Sequence, residues 1–105
     1  MDENPNLEVA FHEAMLNVYR TARSEARYNA TVFLQMVVDH GGLDAARRLI
    51  HANGVSDGYT ALWERGRLDL TVEAVVVNTE RFHELFTEEE LQICRARLRQ
   101  YGYET

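Results

Sequence analysis

The chain has 105 residues, 46% hydrophobic and 10% aromatic, which is enough for one core without a disulfide or metal to hold it. Seventeen acidic residues against eleven basic ones give a net charge of −6, which disfavours an extended phosphate-tracking surface. All eleven cations are Arg, so Schiff-base, P-loop and general-base lysine chemistry is excluded.

Residues 1–6 contain the only Pro and no apolar period, and read as a flexible leader to a single helical domain at 7–105. Their polar, acidic character is not that of a signal peptide, and no run of about 18 apolar residues follows, so a cytoplasmic, membrane-free protein is expected. Leu7, Phe11, Ala14, Met15, Val18, Ala22 and Ala26 recur at steps of three and four and predict the first and longest helix. Arg20, Arg23 and Arg27 would form a basic stripe on its other side.

Asn29 is a good N-cap for a second helix whose stripe is Ala30, Phe33, Leu34, Val37 and Val38, with Gly41-Gly42 as a left-handed stop. Leu43, Ala46, Leu49 and Ile50 predict a third, ended by Asn53-Gly54. Arg47 and Arg48 are adjacent, hence about 100° apart on that helix, and cannot act as one clamp.

The next stretch, 57–77, holds the only Trp. Ser56 or Asp57 can cap a helix over Tyr59 to Arg65, Gly66 can close it, and Asp69 or Thr71 can cap a helix over Val72 to Asn78. By propensity Val72 to Val77 is a strand, but no second alternating run offers it a partner, which favours the helix. Tyr59, Leu62, Trp63, Val72, Val75 and Val76 are then the inward faces, and Trp63→Ala is expected to cost about 3–5 kcal/mol. Glu73 falls in this apolar helix and would need a buried partner; Arg67, across the Gly66 corner, is the candidate for a structural ion pair.

A short helix over Glu80 to Leu85 leads to Thr87 and Glu90, which form a capping box for a last helix carrying Leu91, Cys94, Leu98 and Tyr101, with Gly102 as its stop. The predicted fold class is all-α, a compact single-domain helical bundle of about seven helices.

The chemistry-bearing motifs are weak. Gly54-Val-Ser-Asp-Gly58 matches the nucleophile-elbow pattern, but a helix precedes it where the elbow needs a strand, so Ser56 reads as a cap. His12, His40, His51, His83 and Cys94 lie at no metal-ligand spacing, and no catalytic residue, metal or cofactor is assigned. Cys94 reads as a buried thiol. Arg95 and Arg99 share a face of the last helix with Arg97 turned away, and acids at its start with arginines at its end complement its dipole.

Gly58-Tyr59, Leu62-Trp63-Glu64, the run Gly66 to Glu73, the run Leu85 to Glu90, Arg97-Leu98 and Tyr101-Gly102 resemble a small bacterial and phage protein family. Tyr28-Asn29, Phe33-Leu34 and Gly41-Gly42 extend the resemblance over about residues 28–103. It implies a helical fold and a prokaryotic or mobile-element setting, and carries over no catalytic residues.

The expected function is therefore a small acidic, non-enzymatic protein-binding module, a regulator or inhibitor of a larger host machine in the manner of anti-CRISPR proteins. Its contact surface would include Arg20, Arg23, Arg27, Arg99, Tyr101 and Tyr103, since Arg and Tyr are enriched at interface hot spots. Homodimerisation through the C-terminal tyrosines is a further expectation. The alternative is a nucleic-acid-associated regulator using the Arg20, Arg23 and Arg27 stripe.

Overall fold

Leu7, Phe11, Met15, Val18 and Ala22 are all buried, and their spacing builds α1 (Pro5–Glu25), the 21-residue helix against which the rest is laid. The computed structural model describes residues 5–103. Residues 1–4 of the expected leader lie outside them, while Pro5 and Asn6 open α1. Five more α-helices follow: α2 (Thr31–His40), α3 (Gly42–Ile50), α4 (Asp57–Glu64), α5 (Val72–Asn78) and α6 (Glu88–Gln100). Two 3₁₀ segments, Leu68–Leu70 and Glu80–Leu85, flank α5. No strand occurs among the described residues, so the valine run is helical. The radius of gyration, 12.8 Å, is that of a single packed domain of this size.

Asn29 does not cap α2. Its side chain accepts the Tyr19 hydroxyl at 2.8 Å, and the N-cap position falls to Ala30, which has no side-chain bond to give. This reassignment follows from the end of α1, where Arg27 turns into the left-handed region at φ 54° and the Tyr28 N–H returns to the Ala22 carbonyl. Only one side of α2 is covered: Val37 is buried, whereas Val38, expected in the same stripe, is 66% exposed.

The Gly41-Gly42 pair divides its work differently from a simple stop. Gly41 (φ 85°) is the corner, and Gly42 is already the first residue of α3. There it touches α1 so closely that a Cβ would sit 2.7 Å from the Cα of His12. The same approach lets the Gly42 N–H donate to His12 Nδ1 at 2.9 Å, satisfying an amide that a helix start otherwise leaves orphaned. Ala45 and Ala46, both fully buried, continue this thin face, so α3 packs against both α1 and α2.

The caps expected around α4 to α6 form. Ser56 Oγ accepts the Tyr59 N–H, and Thr71 Oγ1 accepts the Ala74 N–H while donating to the Leu68 carbonyl. Thr87 and Glu90 exchange both bonds of the capping box. Burial draws the Glu90 carboxyl upward, but the Thr87 N–H, His51 and Arg47 outweigh it and hold the group below its ordinary value. Phe11 is the hub of the main core, with edge-on contacts to Phe82 (5.0 Å) and Phe86 (5.4 Å). A smaller cluster, Tyr59, Leu68, Ala74 and Leu98, joins α4, α5 and α6.

Candidate functional site

Two helices end in the same way. Past α4, Gly66 at φ 73° sends its N–H to Trp63 O and the Arg67 N–H to Leu62 O; past α6, Gly102 at φ 89° sends its own to Arg99 O and the Tyr103 N–H to Leu98 O. Both are Schellman closures, which need the left-handed conformation that glycine adopts without strain. The two fixed ends bring their aromatic residues together. Tyr101 meets Trp63 edge-on at 5.5 Å and Tyr59 at 5.2 Å, and the Tyr103 hydroxyl accepts from Asn78 Nδ2 at 2.9 Å.

Trp63 is 45% exposed, which corrects the expectation of an inward indole. An eight-residue helix has one narrow inner face, and Tyr59 and Leu62 fill it; Trp63, next to Leu62 and about 100° around, is left at the margin. Tyr101 and Tyr103, expected to carry homodimerisation, are half-buried by their own chain. Arg99, on the last turn of α6, is exposed.

The predicted Arg67–Glu73 pair does not form. Arg67 lies outside the core and bonds Glu25 (2.8 Å) and Asp69 (3.1 Å), tying the Gly66 corner to the end of α1. Glu73 is buried as expected, but its partner is Arg97 of α6, at 3.2 Å. Arg97 Nη1 also donates to the Leu49 carbonyl, and Nη2 to the Ile50 and Ala52 carbonyls. One guanidinium thus terminates α3, which stops at Ile50 rather than at Asn53-Gly54, and neutralises the carboxylate of α5. The sequence hints only that Arg97 sits beside the apolar Leu98 on α6, and nothing local pairs it with Glu73. Arg67→Ala should give a much smaller shift in urea midpoint than Arg97→Ala, a comparison that separates the surface pair from the buried one.

The remaining predicted surface is dispersed. Arg20 and Arg23 are exposed on α1, but Arg27 lies beyond its end, so the three do not share one helical stripe. Arg95 pairs with Glu88 at 3.6 Å. Each histidine has a polar partner: His12 with Gly42, His40 with Asp44, His51 with Glu90, and His83 with the Val77 carbonyl. Among the described residues no group of three or more His, Cys, Asp or Glu could hold a metal ion, and no helix is long and apolar enough to cross a membrane. Burial pushes the Cys94 thiol up to about 12, so it stays a neutral thiol near neutral pH.

No family model matches the chain, nor does any curated protein or solved structure.

Proposed function

We propose that this protein is a non-enzymatic binding module that docks on a partner protein through the aromatic edge formed by Trp63, Tyr101 and Tyr103, with the exposed Arg99 two residues before Tyr101 in the chain. The observation that supports this is the 45% exposed Trp63, held against Tyr101 between two rigid helix ends. Trp, Tyr and Arg are the residues that dominate interface energetics, because large rigid rings lose little entropy on docking. The surplus of six negative charges favours a basic partner. The resemblance to a bacterial and phage family agrees with a small regulator or inhibitor of a host machine.

Trp63→Ala is expected to cost about 1–2 kcal/mol of stability, less than a fully packed ring, because nearly half of the side chain is already solvated. Affinity purification from the native host with wild-type and Trp63→Ala protein, followed by mass spectrometry, tests the reading. A partner recovered by the first and lost by the second supports it; equal recovery overturns it.

The second reading, nucleic-acid binding, draws on Arg20, Arg23 and Arg27, which are exposed and make no ion pair among the described residues. A salt series on the purified complex discriminates the two. Phosphate contacts weaken by orders of magnitude between about 50 and 200 mM salt, whereas an aromatic protein interface changes little.

A further inference from the structure

Asparagine is a chemically labile residue, and its fate depends on what holds its side-chain amide and on the residue that follows it. The fold treats the described asparagines differently. Asn6 and Asn17 stand inside α1, followed by Leu7 and Val18, where the helical backbone and the next side chain keep the following nitrogen away from the amide. Asn29 accepts the Tyr19 hydroxyl, Asn78 donates to the Tyr103 hydroxyl, and Ala30 and Thr79 follow them. Asn53 has none of these restraints. It lies past the end of α3, is exposed, and its side chain makes no hydrogen bond among the described residues. Gly54 follows at φ 147°, with open space where a Cβ would stand, and its N–H has no hydrogen-bond partner among the described residues.

We infer that Asn53 is a site of spontaneous deamidation and isomerisation, a modification the folded chain carries out on itself with water as the co-reactant. The Gly54 backbone nitrogen loses its proton to a solvent base and attacks Cγ of Asn53. A C–N bond forms, the bond from Cγ to the side-chain nitrogen breaks, and that nitrogen takes up protons and leaves as ammonia, giving a cyclic imide. Water then adds to either imide carbonyl, and the ring C–N bond at that carbon breaks. Opening at Cγ gives aspartate; opening at the former main-chain carbonyl gives isoaspartate, whose main chain runs through the side chain. No atom is oxidised or reduced. Glycine favours the closure because it puts no side chain in the path of the ring and takes up the backbone conformations that the ring requires.

The position gives the reaction a structural consequence. On one side Arg97 Nη2 holds the Ala52 carbonyl at 3.0 Å, and on the other the Ser56 hydroxyl caps α4. Either product places a new carboxylate between these two fixed points, in a chain that is already acidic. Isoaspartate also adds a carbon to the main chain there, so the connection between α3 and α4 lengthens while both of its ends stay pinned.

The test incubates the full chain for weeks in buffer and follows it by ion-exchange chromatography, ammonia release and peptide mapping with a fragmentation that separates isoaspartate from aspartate. More acidic forms should accumulate with the change at Asn53, isoaspartate the larger share, at a rate that rises several-fold from mildly acidic to mildly alkaline buffer. Unfolding in urea should speed the reaction at Asn53 by less than about ten-fold, because an exposed segment needs no opening before it reacts. Asn53→Gln, whose longer side chain closes the ring slowly, should keep the same helix content and stay in one charge form over the same period. Failure of the folded chain to convert at Asn53, whether or not the unfolded chain does, would overturn the inference. So would acidic forms that persist in Asn53→Gln or that map to Asn29 or Asn78. None of those outcomes bears on whether a protein docks at Trp63.

Discussion

Arg97→Ala should remove about 3–5 kcal/mol of folding stability, read as a fall in urea midpoint at constant slope. The loss is large because the substitution leaves groups unpaired at a site that water reaches poorly: the arginine side chain is 11% exposed and the Glu73 side chain 3%. The Leu49 and Ile50 carbonyls at the end of α3 lose their donor together with the carboxylate. Arg97→Lys should rescue little, since a point ammonium cannot span two helices with a planar fork. Replacing both partners, Arg97→Met with Glu73→Leu, should recover part of the loss by removing the charge instead of stranding it.

The loss should also depend on pH in a defined direction. Burial holds the Glu73 carboxyl above its ordinary value of 4.5, although its own backbone N–H and Arg97 pull it down. Without Arg97 it rises further, and the folded chain then binds a proton that the unfolded chain releases. Stability of the variant therefore increases as pH falls from neutrality toward the unfolded value, and the gap to wild type narrows over that range. Equal gaps at pH 7 and near that value would mean that the carboxylate is solvated in the variant.

Gly42→Ala is expected to cost about 2–3 kcal/mol, the opposite sign from what helix propensity alone gives. Alanine is a better helix former than glycine, and φ at this position needs no glycine. The obstacle is contact: the new Cβ would meet the His12 Cα at 2.7 Å and the Met15 side chain at 3.2 Å. The first of these is backbone and cannot swing aside, so α3 must move off α1 and lengthen the Gly42 to His12 hydrogen bond. Thermal unfolding of the variant checks this. Gly41→Ala, at a positive φ with open space around it, should be strained through its backbone and not through packing.

Helix content was legible because its signals are local. The Thr87 and Glu90 capping box, Ser56, Thr71, Gly66 and Gly102 all act within a few residues of themselves, and each performs the role its type and position imply. Burial of Glu73 was legible for the same reason, from its apolar neighbours on α5. Its partner was not. Arg67 is six residues away and Arg97 twenty-four, and sequence proximity says nothing about which guanidinium a packed helix will present.

The order of caps, glycines and apolar spacings by itself determined an all-α chain and where its last two α-helices, α5 and α6, start. It could not determine which face of a short helix wins the core. Only the packing of α3 against α1, and of α6 along α5, decided that Trp63 stays at the margin, that Gly42 is a contact and not a stop, and that Arg97 serves two other helices. Those outcomes depend on distances between segments far apart in the chain, where burial and desolvation outweigh local preference.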